Sequence, residues 1–320
     1  MPHTLFPYVT ANSRHTTAIR RSFSVLYLMT MMCMLLATSC EKPDMSTDQG
    51  GPDVEEPDGN SIRINITQIG GQATGTATGE SSMKSLCTRV SYCVFEPDGK
   101  VYKTLHQTAA DTHFGTVGLS LPAGRYHLVV IAHNGNGNAS FESEEKIKFK
   151  DNKVTDTFGS RTELDITGNG KHDIQLERMV AKIRMELTGA MPAEARQMEF
   201  YYTGGSSTLS ALSGFGSVNS RQTEYREVTA EMTGKATQFE IYTFPHEQDD
   251  AINLTVKALD AGKNTIQSKT FENVPIRRNG RTVFSDKFFE GGSGDSGDTS
   301  GDLTVGLTDS SDGEEITRCH

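Results

Sequence analysis

Apolar and polar residues alternate with a period of two along most of this chain, and that period predicts β-strands. Ile62, Ile64 and Ile66 alternate with Arg63, Asn65 and Thr67, as in a strand with one buried face. Gly70 to Ser82 is rich in Gly, Thr and Ser and reads as a loop. Val90, Tyr92 and Val94 alternate next, and Val101, Tyr102 and Leu105 follow after Glu96-Pro97-Asp98-Gly99. Proline presets φ and glycine accepts a positive φ, so Pro-Asp-Gly between two such runs predicts a hairpin over residues 87 to 106. Val117 to Leu121 is a short strand ending at the turn Pro122-Ala123-Gly124. Tyr126 to His133 is the most apolar stretch beyond the leader. Bounded by turns, it predicts a central strand covered on both faces. Asn134 to Asn138 alternates Asn with Gly and is a loop. Lys146 to Phe149 is a short strand, and Leu164 to Gln175 holds one or two more around Gly168-Asn169-Gly170.

A second cycle opens at Leu176 and runs to Leu187, read as one strand with a bulge near Ala181-Lys182. Pro192 to Arg196 suggests a single helical turn. Met198, Phe200 and Tyr202 alternate again, and the Ser/Gly-rich stretch from Gly204 to Ser220 reads as loop. Phe239 to Phe244, then Ile252, Leu254, Val256 and Ala258, then Ile266 to Phe271 are strands. Asn279-Gly280 is a strong hairpin signal, with the return strand at Arg281 to Phe289. Gly291 to Asp302 is low-complexity Gly/Ser/Asp, a flexible linker. It leads to one further alternating strand, Leu303 to Thr308, with Leu303, Val305 and Leu307 on one side. A strand at the end of a linker must pair with its own body or with another molecule's sheet edge. Short strands with frequent turn signals and little helical periodicity predict an all-β chain of two tandem β-sandwich domains. The expected domains are residues 61–177 and 178–290, followed by linker and terminal strand over 291–320.

The N-terminus departs from this pattern. Arg20-Arg21 precede about fifteen mostly apolar residues, then small residues and Cys40. The run is short for a membrane-spanning helix. Positive flank, apolar run and small residues describe a secretory signal over residues 1–39, and the cysteine after them makes it a lipoprotein signal. Cleavage before Cys40 would leave an N-terminal cysteine carrying acyl chains. Residues 40–60 are acidic and rich in Pro and Gly, a composition that cannot bury a core and reads as a tether.

Composition narrows the function. The 320 residues carry a formal net charge of −10, which repels phosphate backbones and argues against nucleic acid as a partner. There is no Trp, so any glycan platform rests on Tyr or Phe. Cys33 leaves with the signal, and Cys87, Cys93 and Cys319 remain beside the lipidated Cys40. On one extended strand Cys87 and Cys93 would lie roughly 20 Å apart. That exceeds the limit of about 7 Å for a disulfide. Equal parity places both on one face, most simply as buried thiols, with a link from either one to Cys319 as the alternative.

Catalytic signatures are missing. The chain holds no H-E-x-x-H, no G-x-S-x-G elbow and no Walker A sequence. His127 and His133 sit six apart on a strand, too far to share a zinc. Asp165, Thr167, Asn169 and Gly170 match the start of a calcium loop, but the twelfth position is Leu176 rather than a bidentate Glu. No cofactor is expected beyond covalent lipid on Cys40, and no enzymatic activity.

The order of features resembles a known family, the anchoring subunits of Bacteroidales type V fimbriae, the FimB-like anchor lipoproteins. It is carried by the lipoprotein signal ending at Cys40, by the junction Leu176-Glu-Arg178-Met-Val-Ala181-Lys182-Ile183, and by Asn273-Val274-Pro275-Ile276-Arg-Arg278-Asn279-Gly-Arg281-Thr282. The resemblance covers roughly Ser61 to Leu307. It implies transthyretin-like sandwich domains and a lipid-tethered subunit at the base of a fimbria in the outer membrane. It also implies stalk subunits as partners, joined by donor-strand exchange. Stalk subunits are trimmed by an arginine-specific protease that removes the first strand, and anchors are thought to escape it. Arg89 is then the formal processing candidate. Ile62, Ile64 and Ile66 on one strand, and Leu303, Val305 and Leu307 on the other, are the candidate exchanged residues. The competing readings are a free-standing surface lipoprotein binding glycan or host protein, with Tyr201, Tyr202 and Tyr225 as its visible aromatics, and a tip or stalk subunit.

Overall fold

A computed structural model describes residues 59–74, 79–289, 304–309 and 317–318. The expected signal peptide, Cys40, the acidic tether up to Asp58 and the linker from Gly291 to Asp302 lie outside the described residues, as do Leu303 and Cys319, while Asn60, expected in the tether, opens β1. The strands in the first half are β1 (Asn60–Ile69), β2 (Gln72–Ala73), β3 (Arg89–Phe95), β4 (Val101–Thr108), β5 (Thr116–Leu121), β6 (Gly124–His133), β7 (Ser140–Ser143), β8 (Lys146–Lys148), β9 (Thr157–Ile166) and β10 (Gly170–Arg178). The strands in the second half are β11 (Ala181–Leu187), β12 (Gln197–Gly205), β13 (Thr208–Leu209), β14 (Ser220–Glu227), β15 (Thr237–Thr243), β16 (Asp249–Leu259), β17 (Thr265–Arg277), β18 (Gly280–Asp286), β19 (Thr304–Asp309) and β20 (Thr317–Arg318). Among the described residues one α-helix, α1 (Gly79–Leu86), precedes β3.

The first sandwich faces two sheets across an apolar core. In one, β1 lies between β5, antiparallel, and β10, parallel, with β2 beside its C-terminal end. The other runs β4-β3-β6-β9, antiparallel throughout. The end of β10 crosses to this second sheet, where Glu177 and Arg178 pair with Gly159 and Phe158. Alternation has the expected consequence in β1: Ile62, Ile64, Ile66 and Ile69 all enter the core, against Val90, Tyr92, Leu128, Val130, Phe158 and Ile174. β6 is the central strand that its apolar run predicts, paired with β3 on one side and β9 on the other. The Pro-Asp-Gly hairpin forms between β3 and β4, with Gly99 at φ +86° and its N–H donating to Glu96 O at 2.9 Å.

The second sandwich has sheets β15-β11-β18-β19-β20 and β14-β12-β16-β17. Ile183, Met185 and Leu187 from β11 pack with Phe239, Ile241 and Phe284 against Met198, Phe200, Tyr202, Leu254 and Val256. Asn279 takes a positive φ of 59° at the β17–β18 turn, the left-handed conformation that Asn tolerates there.

Several local expectations are corrected. The loop before β3 contains α1, so Cys87 follows a helix rather than lying on the same strand as Cys93. The two thiols face different cores as a result: Cys87 packs with Met83 and Val90, and Cys93 with Phe95 and Val129. Both are free and buried, and burial pushes the Cys87 thiol up to about 12. The stretch from Leu176 to Leu187 is two strands rather than one with a bulge. β10 ends at Arg178, Met179 and Val180 pass between the sandwiches, and β11 starts at Ala181. Pro192 to Arg196 is a turn without helix. The stretch from Gly204 to Ser220 read as loop contains β13, and β14, nearly devoid of apolar residues, begins at its last residue.

The two sandwiches share a third core. Phe95, Val129, Ile131, Ile147 and Phe149 of the first meet Leu209 and Phe244 of the second, with Met179 and Val180 between them. The Phe149 and Phe244 rings stack at 5.4 Å. Backbone pairing crosses the same boundary: β13 extends the β7-β8 hairpin through Thr208↔Lys148 and Leu209↔Ile147. The Ala211 N–H also donates to Glu144 O at 2.7 Å.

Candidate assembly surfaces

The two candidate exchange strands are held very differently. β1 is paired along both edges, and Ile62, Ile64 and Ile66 are at most 3 % exposed. Each fully buried Ile contributes about 1.5–3 kcal/mol. With Ile69, the strand therefore supplies roughly 6–12 kcal/mol of apolar burial, comparable to the whole stability of an ordinary domain. The first sandwich thus has its groove filled by its own chain. β19, which carries Val305 and Leu307, is an outer strand. It pairs antiparallel with β18 from Gly280↔Asp309 to Ser285↔Thr304, and among the described residues its other side pairs only with the two residues of β20. The sequence left open whether this strand pairs within the chain or between chains, and here it lies on its own body.

Arg89 opens β3, and its peptide group lies between Thr108 of β4 and His133 of β6. Its guanidinium clamps the Asn/Gly loop. Nε donates to Gly135 O at 3.0 Å, Nη1 to Asn138 Oδ1 at 3.0 Å and Nη2 to Asn136 O at 3.4 Å. A protease must bind its substrate as an extended free segment. The bond after Arg89 is inside a paired sheet and its side chain is occupied.

His127 and His133 both sit on β6 without a shared ligand. His127 Nδ1 lies 2.7 Å from Glu144 Oε1, and Arg161 Nε donates to the other carboxylate oxygen. Burial works to raise the Glu144 carboxyl, but the bonds from Arg161 and His127 outweigh it and hold the group below the usual range. His133 is fully enclosed. Its Nδ1 accepts from the Gly135 N–H at 2.9 Å, and its ring stands edge-on to Phe149 at 5.2 Å. Its Nε2 has no partner among the described residues. Burial, aided by the nearby Arg89 charge, lowers its imidazole to about 4.

That depression sets an acid response. An unfolded histidine titrates near 6.5. Between that value and about 4 the unfolded chain binds a proton that the folded chain refuses. The contribution of neutral His133 is therefore complete above pH 6.5 and is lost as pH falls towards 4, by on the order of 3 kcal/mol. Urea unfolding at pH 7 and pH 4.5 should show a smaller acid loss for His133→Gln than for the wild type. Equal losses would remove His133 as the cause.

The aromatics considered for glycan binding are divided by strand parity. Tyr202 is buried and donates to Tyr242 O at 2.9 Å. Tyr201 and Tyr225 point outward from the β14-β12 sheet face, 37 % and 48 % exposed. Because Tyr201 opposes Thr223 and Glu199 opposes Tyr225, the two tyrosines are diagonal neighbours on a sheet face rather than a loop cluster. A cleft of about 390 Å³ lies at the junction of the sandwiches, lined by Arg161, Glu177, Leu212 and Arg278 among others. Its cations are already engaged, Arg161 by Glu144 and Arg278 by the Phe215 ring at 5.1 Å. Among the described residues no group of three or more His, Cys, Asp or Glu is placed to hold a metal ion.

The model of the fimbrillin-A associated anchor proteins Mfa1 and Mfa2 matches residues 55–308, which run from before β1 to Thr308 in β19. The chain belongs to this anchor-protein family. It is accordingly a fimbrial subunit acting at the cell surface in association with other fimbrial subunits, and the family is one of structural rather than enzymatic proteins. A search of curated proteins returns no match. Among solved structures the family member is similar to the fimbrial anchor protein Mfa2 from Porphyromonas gingivalis. Identity is 9 %, coverage is 70 % of this chain and 90 % of that one, and the TM-score is 0.40. It is also similar to a fimbrial assembly protein from Parabacteroides distasonis, at 14 % identity, with 81 % and 98 % coverage and a TM-score of 0.39.

The parts that sequence reasoning missed are β13 and the Phe149–Phe244 stack. Thr208-Leu209 is two residues inside a Ser/Gly stretch, with no periodicity to mark it. The only signal was Leu209 itself, an aliphatic residue in polar surroundings.

Proposed function

We propose that this fimbrial subunit is the lipid-tethered anchor, held in the outer membrane by acyl chains on Cys40 and joined to the stalk by donor-strand exchange. One observation carries the reading: β1 is built into the core between two partners, whereas β19 is an outer strand attached mainly along one side. A subunit that keeps β1 offers no empty groove to another subunit. It can only give a strand, and β19 is the one whose departure leaves the first core intact. Such a subunit joins a chain at one end and stops it there, which suits a base that limits fimbrial length. The enclosed position of Arg89 supports retention of β1 in the folded protein.

The test compares cells expressing the wild type and Cys40→Ala, with fimbrial protein measured in the membrane pellet and in the culture medium. The expected result is shedding of fimbrial polymer into the medium. If only this protein is released and the polymer stays on the cell, the chain is a free-standing surface lipoprotein and the anchor reading fails.

A further inference from the structure

We propose that the two sandwiches act as two shear clamps in series, which let this protein carry tension between membrane and fimbria. The direction of pull rests on the anchor reading above, while the clamp itself follows from strand order. The chain enters the first sandwich through β1 and leaves through β10, and these two strands are hydrogen-bonded neighbours running parallel. They share seven register partners, from Ile62↔Gly170 to Ile69↔Leu176. The second sandwich repeats the arrangement. The chain enters through β11 and leaves through β18, again parallel neighbours, with six partners from Lys182↔Arg281 to Leu187↔Asp286.

Parallel pairing decides how a pull is distributed. Tension on the N-terminal side grips β1 at its first residues, beside Gly170. Tension on the C-terminal side grips β10 at its last residues, beside Ile69. The two points of attack lie at opposite ends of one ladder, so the ladder slides as a unit and its hydrogen bonds are strained together. Had the strands been antiparallel, both points would lie at the same end and the bonds would open one after another. Survival under force is governed by the unfolding rate rather than by equilibrium stability, so this geometry matters even without any extra contact.

The connector transmits the pull without slack. Only Met179 and Val180 separate β10 from β11, and both are buried in the shared core. The Met179 N–H donates to Thr157 O at 2.8 Å, and Val180 O accepts from the Asn279 N–H at 3.0 Å. β19 is loaded in the opposite way. It is antiparallel to β18, and Thr308 lies opposite Arg281, which also faces Lys182. A pull beyond Asp309 therefore attacks the same end at which β11 is held. β19 unzips first, and the load then passes through residues 290–303 to the far end of β18. The strand released at low force is the one proposed as donor, and the strands it leaves behind are the ones in shear.

Single-molecule pulling on the full chain tests this with the direction of force as the variable. One arrangement uses handles at the two termini. The other uses handles on Asn60→Cys and Gly170→Cys, which grip β1 and β10 at the same end, in a background of Cys33→Ala, Cys40→Ala and Cys319→Ala. Cys87 and Cys93 stay buried. A Cβ at Gly170 meets nothing closer than His172 Nε2 at 3.8 Å, so the substitution fits. The expected record from the termini is an early low-force release followed by high-force unfolding, and the high-force event of the first sandwich is lost when it is gripped at 60 and 170. Equal unfolding forces in the two directions would overturn the clamp. This outcome is independent of the shedding experiment: a direction-dependent force with no shedding from Cys40→Ala would keep the clamp and sink the anchor reading.

Discussion

Phe244→Ala should destabilise the protein by about 3–5 kcal/mol and separate the unfolding of the two sandwiches. Phe244 is completely buried where they meet, stacked on Phe149 and surrounded by Ile147, Leu209 and Val180. Truncation removes the transfer free energy of the ring and leaves a cavity that the surrounding strands cannot collapse around. Neighbouring backbone is fixed by the reciprocal bonds between Ser206 and Phe244, at 3.0 and 3.1 Å. The wild type should therefore unfold in one calorimetric transition and Phe244→Ala in two. A double-mutant cycle with Phe149→Ala isolates the stack itself, expected at about 0.5–1.5 kcal/mol. A single transition retained in Phe244→Ala, with a loss under about 1 kcal/mol, would mean that the sandwiches are not coupled through this core.

Ile64→Ala in β1 should cost about 2–5 kcal/mol, and Ile64→Val only about 0.5–1.5 kcal/mol. Ile64 is fully buried at the middle of a strand paired on both edges, opposite Val117 and His172. The same substitution on an exposed strand would be almost silent. Urea denaturation with an unchanged slope would give the difference directly. A near-zero effect of Ile64→Ala would show that β1 is not part of the folded core, and the argument that the first sandwich offers no acceptor groove would fall with it. Because β1 as a whole supplies burial comparable to total domain stability, its loss would unfold the first sandwich unless a strand from another molecule took its place.

The fold was largely legible in the sequence because alternation is a direct record of one-sided burial. The Ile62-Ile64-Ile66, Met198-Phe200-Tyr202 and Ile252-Leu254-Val256 runs each needed only a period of two. The unbroken apolar run in β6 announced a strand covered on both faces. Turn chemistry at Pro97-Asp98-Gly99 located one hairpin, since few residues satisfy a positive φ. The hairpin expected at Asn279-Gly280 is instead a turn that carries the chain from β17 in one sheet to β18 in the other, where β18 pairs with β11 and β19. The junction near Arg178 and the late Asn273-to-Thr282 motif carried the family resemblance that the match over residues 55–308 bears out.

Alternation says that a face is buried but does not name the partner strand, and there the tertiary structure decided. β14 carries no apolar stripe because an edge strand needs only backbone partners, and its ladder with β12 is invisible in SRQTEYRE. Cys87 and Cys93 have equal parity, yet Cys87 directly follows α1 and precedes β3, so the two thiols enter different cores. β13 is two residues long, and its role comes from meeting β8 across more than fifty residues of sequence. The candidate exchange strands were named from their patterns alone, but both patterns are the same. Only the sheets distinguish β1, paired on both sides and parallel to β10, from β19, an outer strand antiparallel to β18. Strand composition determined which segments extend and which face they bury. Strand order and direction, set by long-range pairing, determined which strand closes the groove and which can leave.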